Sequence, residues 1–251
     1  MYKRQPELRG LDIASVSLPA TEVGGDYFEY FPDGDRGLSL IVADVAGHGV
    51  ASGLLLSGIR SCLYLLHPDR PAPLDAVERL NRMVRRTTDR RMFITFLYAD
   101  IDVDAGMVRL VSAGHPPMLH VTPEGRVSEI GAPAPPLGTN LECRYSEVEQ
   151  PLNSGDILLF YTDGVTETVN RQGDLYGEER LVKRLRHVAS KTSAREVRES
   201  LLSDVWTFKG DVEQHDDITM VVLMIMLMLV VMMMRLMLII IIDVLKRNEI
   251  I

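Results

Sequence analysis

The sequence predicts an α+β domain in which antiparallel sheets carry most of the core. Short strands are joined pairwise by turns, as where Phe93–Asp102 and Met107–Ser112 flank residues 103–106. A second pair, Met118–Thr122 and Arg126–Ile130, flanks a Pro-Glu-Gly turn. Such short turns connect antiparallel neighbours, and the helical segments do not alternate regularly with the strands, which disfavours a parallel sheet.

The other elements follow from hydrophobic periodicity and from the residues that end each run. Short apolar or alternating runs predict strands at Leu11–Leu18, Tyr27–Phe31, Leu38–Ala43, Arg144–Glu149, Asp156–Tyr161 and Ile218–Leu223. Longer runs predict helices at Ala51–Leu66, Leu74–Thr88, Glu178–Ala189 and Ala194–Phe208. Because Ala51–Leu66 is apolar on more than one face, we expect this helix to be largely buried.

Composition limits the functions to consider. The chain of 251 residues has 25% charged and 46% hydrophobic residues, as folded domains do. Its net charge of −8 argues against a nucleic-acid partner, because phosphate backbones bind clusters of Lys and Arg. Two cysteines, Cys62 and Cys143, are too few for a disulfide framework or a cysteine zinc site. The N-terminal residues lack an apolar run, so we expect no signal peptide and a cytoplasmic location.

Aspartates stand at the ends of several predicted strands. They are Asp26, Asp44, Asp163 and the pair Asp216 and Asp217. Taken singly, each suits a turn or a cap, which is a common place for Asp. If the fold brings them to one rim of a sheet, their charges repel each other, and a divalent cation removes that cost. Oxygen ligands of this kind favour Mg²⁺, Mn²⁺ or Ca²⁺ over zinc or copper.

The residues around these aspartates form a series of motifs. In chain order they read PATEVGGDYF (19–28), ADVAGHGVA (43–51), SAGHPP (112–117), GD (155–156), YTDGVTE (161–167) and DDIT (216–219). The series resembles, in the same order, the motifs of the bacterial PPM-type (PP2C-like) serine/threonine phosphatases of the SpoIIE/RsbU branch. The resemblance runs from about residue 8 to residue 223, nearly the whole chain apart from its apolar C-terminal tail.

The resemblance implies both a fold and a metal centre. The fold is an antiparallel β-sandwich flanked by helices, and the centre holds two Mn²⁺ or Mg²⁺ ions. Asp44 would bridge both ions, with the backbone carbonyl of Val45 as a further ligand. The other implied ligands are Asp26 for one ion, directly or through water, and for the other Asp163 with Asp216, or Asp217 if the register shifts by one. Two such ions activate a water for in-line attack on phosphorus.

Two histidines lie inside the motifs. His48, between two glycines and four residues after Asp44, could protonate the leaving oxygen as a general acid or could simply shape the turn. His115 precedes two prolines, and we expect a structural, hydrogen-bonded role for it. The threonines and the glutamate of the YTDGVTE segment either brace the turn at its aspartate or cap a helix that follows.

The function implied by the resemblance is metal-dependent hydrolysis of phosphoserine or phosphothreonine in proteins. In this branch the substrate is an anti-sigma-factor antagonist of a partner-switching pathway, so we expect a phosphorylated protein partner. Because relatives usually carry a sensory domain before the phosphatase, we expect either regulation by a separate protein or a chain that is a fragment of a longer one. Regulated relatives suggest control through Ala51–Leu66 and the segment after Asp163, which leave from the ligand turns. Two alternatives stay open: a non-catalytic module that binds a phosphoprotein, and a metal hydrolase of small phosphate esters. The presence of every expected aspartate favours an enzyme over the non-catalytic module.

The C-terminal tail has a different character from the domain. We expect residues 1–225 to form the phosphatase domain and residues 226–251 to be an apolar tail. The nineteen residues Met224–Ile242 approach the ~20 needed to span a bilayer, although Arg235 interrupts them. Their restriction to Met, Ile, Leu and Val, without caps or periodicity, also fits low-complexity sequence. Membrane contact is therefore expected only if this tail anchors the chain.

Overall fold

Two antiparallel sheets of five strands each form the framework of the structure. The computed structural model describes residues 5–22, 24–34, 36–47, 49–88, 92–139, 144–191 and 193–226. The first sheet has the order β1 (Leu11–Leu18), β10 (Ile218–Ile225), β9 (Ile157–Tyr161), β6 (Met118–Val121) and β7 (Val127–Ile130). The second has the order β2 (Asp26–Pro32), β3 (Gly37–Val45), β4 (Ile94–Asp102), β5 (Met107–Ala113) and β8 (Val148–Pro151).

In the described part of the chain, the helices cover the outer faces of the two sheets. The second sheet packs against α1 (Val50–Leu66) and α2 (Pro73–Thr87), and the first against α3 (Gly177–Val188) and α4 (Ala194–Lys209). Two 3-10 turns, His67–Asp69 and Asp163–Val165, follow α1 and β9. The predicted α+β fold, an antiparallel sandwich flanked by helices, is therefore confirmed.

The layer between the two sheets is an apolar core. Leu40 and Leu97 of the second sheet face a set from the first sheet that includes Leu158, Phe160 and Leu223, and each of the five is at most 1% exposed. Burial of one side chain of this size stabilises a fold by about 1.5–3 kcal/mol. Because this layer fixes the strands, it also fixes the positions of their ends at the rim of the sandwich.

Helix α1 is less buried than its sequence predicts. Its buried stripe comprises Ser52, Leu55, Ile59 and Leu63, whereas Val50, Leu54 and Leu65 are between 69% and 77% exposed. The expectation of a largely buried helix is wrong because α1 lies on the outside of a sandwich and needs only one apolar face. Within the described residues, Val50–Asp69 is the one stretch long and apolar enough to cross a membrane by length and composition. The stripe packed on the second sheet makes it part of the domain's outer layer.

The strand predicted at Arg144–Glu149 lies further along the chain than expected. The observed strand, β8, pairs with β5 from Val148 onward, opposite Leu110. Tyr145 is buried in the cluster beneath α1 and α2 instead of alternating along a strand. Packing of one aromatic side chain therefore displaces the start of the strand.

The last strand extends two residues beyond the predicted strand Ile218–Leu223, so the tail begins later than expected. In β10, Met224 and Ile225 pair with Asp12 and Leu11 of β1 and are nearly buried. Because these two residues belong to the sheet, the expected spanning segment Met224–Ile242 loses its first two members. Residues 227–251 lie outside the described part of the chain, so the nature of the tail stays a prediction.

Candidate metal centre

Four strand ends meet at one rim of the sandwich and carry the aspartates of the motifs. Asp26 opens β2 and pairs directly with Asp44 near the end of β3. Asp163 comes two residues after the end of β9, and Asp216 lies two residues before β10. Since β9 and β10 are antiparallel neighbours, the end of one and the start of the other lie side by side. The structure thus brings together the aspartates that the sequence singles out.

The carboxylates at this rim interact strongly enough to disturb their protonation. The pKa of Asp44 is raised to about 7, first by burial and then by the negative charges of Asp163 and Asp216, with smaller effects from Asp217 and Glu167. The pKa of Asp216 is also raised, by burial and by Asp163 and Asp217. Like charges held this close are unfavourable unless a cation lies between them.

Asp26 is half-buried beside Asp44, and threonine hydroxyls bind its carboxylate. Its pKa is raised well above the usual range, mainly by burial, while hydrogen bonds from Thr219 and Thr162 oppose that rise. The Thr162 hydroxyl donates to Asp26 Oδ2 at 2.7 Å. Because threonine hydroxyls already bind its carboxylate, Asp26 is better suited to contact an ion through a water than to bind it directly.

The turn after β9 distinguishes between the two roles considered for its threonines. No α-helix follows Asp163 directly: the chain forms a 3-10 turn, and α3 begins at Gly177. Thr162 makes no capping bond there but reaches across to the first motif, and the Thr166 hydroxyl donates to the Asp163 carbonyl at 3.1 Å. Of the two roles considered for these threonines, bracing of the metal-site turn is therefore the one observed.

Asp216 and Asp217 have different surroundings. Both oxygens of the buried Asp217 carboxylate accept backbone N–H groups, from Ala20 at 2.7 Å and from Asp26 at 3.1 Å. A Cβ added to Gly24 would lie only 2.2 Å from Asp217 Oδ2, so the loop of the first motif closes tightly on this carboxylate. Asp216 is exposed, and only its Oδ1 is engaged, by the Asp217 N–H at 2.8 Å. Asp216 is therefore the better placed of the two to bind an ion.

A cleft of about 260 Å³ opens onto these groups. Its walls include Gly24, Gly25, Asp44, Val45, Gly47 and Asp216. A Cβ added to Gly25 would lie 2.8 Å from the Val45 carbonyl oxygen and 2.9 Å from Asp44 Oδ1. A side chain at position 25 would fill the space in front of both oxygens, so glycine keeps them accessible.

The donor set fits Mn²⁺ or Mg²⁺, although it does not form a closed cage. Within the described ranges, no three His, Cys, Asp or Glu side chains form a group that could hold an ion. The cleft nevertheless presents carboxylate and carbonyl oxygens, which hard divalent cations prefer, and Mg²⁺ commonly keeps several waters and few protein ligands. The mutual repulsion around Asp44 is the cost that such ions would relieve.

The histidines of the site divide into three cases. His48 lies outside the described residues, so its choice between general acid and turn former stays a prediction. His115 is buried, and its Nδ1 lies 2.9 Å from the Thr95 hydroxyl, as expected for a structural histidine. His215, which sequence reasoning did not single out, lines both the cleft at Asp44 and a neighbouring cleft at Gly164. The only signal available was its position directly before Asp216.

The contrast between the two neighbouring aspartates leads to a test. We expect Asp217→Ala to lower the unfolding temperature of the metal-free protein, because two partly buried N–H groups lose their acceptor, which costs about 1–3 kcal/mol for each fully buried group and less here. Asp216→Ala should cost much less stability but should weaken Mn²⁺ binding. Thermal unfolding with and without Mn²⁺ measures both effects. Equal destabilisation of the metal-free protein by the two variants would contradict this assignment.

Comparison with known proteins places the chain in a family. The family model described as Stage II sporulation protein E (SpoIIE) matches residues 34–225. Phosphoserine phosphatase RsbU of Bacillus subtilis (strain 168) is 30% identical over 219 residues, which are 87% of this chain and 64% of that protein. The chain spans between 38% and 64% of the length of the curated relatives it matches.

Solved structures agree with this placement. The RsbU and RsbW domains of Rv1364c from Mycobacterium tuberculosis match with a TM-score of 0.72 at 30% identity, over 86% of this chain and 60% of that chain. RsbX in complex with magnesium matches with a TM-score of 0.64 at 17% identity, over 86% of this chain and 95% of that chain. The family model covers most of the chain and the sandwich fold is shared, so the chain belongs to the SpoIIE family of PP2C-like proteins.

Proposed function

We propose that the chain is a metal-dependent protein serine/threonine phosphatase that hydrolyses phosphoserine or phosphothreonine at a binuclear Mn²⁺ or Mg²⁺ centre. The observation that carries the proposal is the open cleft lined by Asp44 and Asp216, where burial and the charges of Asp163 and Asp216 raise the pKa of Asp44 to about 7. The curated name of RsbU and the magnesium bound by RsbX support the same chemistry.

Each residue at the rim has a proposed role. Asp44 would hold both ions, with the Val45 carbonyl beside it, and Asp163 and Asp216 would be further ligands of one of them. Asp26, whose carboxylate accepts from threonine hydroxyls, would orient a water at the other ion. When bound, two such ions lower the pKa of a shared water toward neutrality and offset the charge of the phosphoryl oxygens.

Asp217 positions the site without contacting substrate. Its carboxylate ties the loop around Ala20 to the start of β2, and so keeps the Asp26 backbone against the start of β10. The glycines of the two motifs leave the cleft open in front of Asp44. These residues together present an oxygen-lined surface onto which a phosphoryl group fits.

The substrate in this proposal is a phosphorylated protein, an anti-sigma-factor antagonist of a partner-switching pathway. The names of RsbU and of the RsbU and RsbW domains of Rv1364c are the comparisons that support it. A separate regulatory protein would act through α1, which begins three residues after Gly47 of the cleft and exposes Val50 and Leu54. The second control segment expected from the sequence, the segment after Asp163, begins with the 3-10 turn Asp163–Val165.

A phosphate-release assay tests the proposed function. Substrates would be a phosphoserine peptide, a phosphorylated antagonist protein and p-nitrophenyl phosphate, each with Mn²⁺, with Mg²⁺ and with chelator. The proposal expects release from the phosphoprotein that requires metal and exceeds release from the small ester. Folded, metal-loaded protein that binds the phosphoprotein without releasing phosphate would identify a non-catalytic module. Preference for the small ester would identify a different hydrolase.

The tail leads to a separate prediction. A chain ending at Met226 keeps all of β10 and is expected to be more soluble than the full chain and equally active. The physical reason is that residues 227–242 are apolar except for Arg235, while the rim with the aspartates lies at the opposite end of β10. Sedimentation and phosphate release compare the two chains. Lost folding or lost activity on truncation would show that the tail is a working part of the protein.

A further inference from the structure

His115 occupies the point where the chain crosses from one sheet to the other. It follows β5 of the second sheet and precedes β6 of the first. Gly114 forms a bridge to Phe96 of β4, and the Ser112 hydroxyl donates to the His115 carbonyl at 3.0 Å. The backbone that carries the imidazole is therefore anchored before the side chain makes any contact.

The imidazole itself lies between strands of both sheets. Its Nδ1 is 2.9 Å from the Thr95 hydroxyl of β4. The ring also lies against the backbone of Tyr161, the last residue of β9, and this contact opposes the fall in the His115 pKa that burial causes. Among the described residues, Nε2 has no hydrogen-bond partner of regular geometry.

Both strands that His115 contacts lead to the proposed ligands. Thr95 is the cross-strand partner of Asp44 in the pairing of β3 with β4. Tyr161 lies two residues before Asp163. His115 therefore contacts Thr95, which is paired with the proposed ligand Asp44, and Tyr161, which lies two residues before the proposed ligand Asp163.

We propose that His115 is a positioning residue, which fixes the separation of the two sheets at the metal end and thereby the distance between Asp44 and Asp163. The inference rests on the proposed metal centre. Ligands must be held to within roughly 0.5 Å by surrounding contacts for a site to work well. Asp44 lies in the second sheet, and Asp163 follows a strand of the first sheet. A contact that spans the sandwich near them therefore controls the distance between them more directly than contacts within either sheet.

The described part of the chain offers a matched control for loss of a buried histidine. His120 of β6 is also buried, and its Nε2 lies 2.8 Å from Asp156 Oδ2. Asp156 precedes β9, whereas Asp163 follows it, so this pair lies at the end of the first sheet remote from the cleft. A histidine-to-asparagine change at position 120 therefore disturbs the core without touching the proposed link.

The experiment compares His115→Gln, Thr95→Val, Thr95→Ser and His120→Asn in the full chain. Mn²⁺ affinity is measured by calorimetry, the unfolding temperature is measured with and without Mn²⁺, and kcat and KM are measured for p-nitrophenyl phosphate. We expect His115→Gln and Thr95→Val to weaken Mn²⁺ binding at least tenfold and to lower kcat more than they change KM. Thr95→Ser keeps the hydroxyl and should bind Mn²⁺ with wild-type affinity. His120→Asn should lower the unfolding temperature while leaving the affinity for Mn²⁺ unchanged.

The outcomes separate this inference from the proposed function. Wild-type affinity in Thr95→Val, which removes one hydroxyl and should fold even if His115→Gln does not, would overturn the role of His115. An equal loss of affinity in His120→Asn would also overturn it, because the effect would then follow stability alone. Failure of the wild-type protein to bind Mn²⁺ would instead contradict the metal centre itself.

Discussion

Replacement of Asp44 by asparagine is expected to abolish phosphate release and to raise the unfolding temperature of the metal-free protein. The folded-state pKa of Asp44, raised from 3.8 to about 7, lies above its unfolded value. Ionisation at pH 7.5 therefore opposes folding, by on the order of 1–3 kcal/mol after allowance for solvent screening. The neutral amide removes that repulsion, but it also removes the ligand proposed to be shared by both ions, so activity should be lost.

The matched control is Asp100→Asn on β4. Asp100 hydrogen-bonds with Ser39 and Arg109 near the end of β4 remote from Thr95 and the cleft. This variant should keep wild-type turnover and should not gain stability. Phosphate release and thermal unfolding without metal measure both variants. Near wild-type activity of Asp44→Asn at saturating Mn²⁺ would show that the bridging role belongs to another residue.

Replacement of Gly164 by alanine is expected to disable the site by steric conflict. A Cβ at this position would lie 2.0 Å from the Asp217 carbonyl oxygen and 3.5 Å from Asp216 Cβ. The 3-10 turn that carries Asp163 must then move away from the start of β10. We expect at least a hundredfold loss of turnover and a destabilisation of about 1–3 kcal/mol, as for other overpacked sites.

Gly58→Ala provides the comparison for that substitution. Gly58 lies within α1, and a Cβ there would meet nothing within 4 Å. Alanine is a better helix former than glycine, so this variant should gain up to about 1 kcal/mol and keep its activity. Turnover and thermal unfolding of the two alanine variants, measured side by side, distinguish the local conflict from a general effect of losing a glycine. Wild-type turnover of Gly164→Ala would mean that the turn at Asp163 tolerates displacement.

Much of the fold could be predicted because its signals are local. The hairpin predicted from Phe93–Asp102 and Met107–Ser112 appears as β4 and β5 with nearly the same bounds, since period-two alternation and a short turn need no distant partner. The burial of α1 could not be predicted in the same way. A helix that is apolar all round suits either a core or an outer layer, and only the packing of the two sheets decides which.

The site was predictable at the level of its aspartates but not of their separate roles. The choice between Asp216 and Asp217 depends on backbone N–H groups of Ala20 and Asp26, which are 197 and 191 residues away in sequence. The same holds for the Thr162 hydroxyl, which reaches Asp26 across 136 residues instead of capping a helix. Contacts of this range arise only when the sheets assemble, so residue types and spacing cannot reveal them.

The most direct test of the metal centre is a crystal of the protein grown or soaked with Mn²⁺ and measured at the manganese absorption edge. We expect two anomalous peaks in the cleft, both contacting Asp44, with Asp163 and Asp216 on one ion and no contact from Asp217. The Val45 carbonyl should ligate, and Asp26 should contact the other ion directly or through a water. A fully folded crystal with no anomalous peak at Asp44, or with its manganese bound at another part of the surface, would show that the metal centre is not formed by these aspartates.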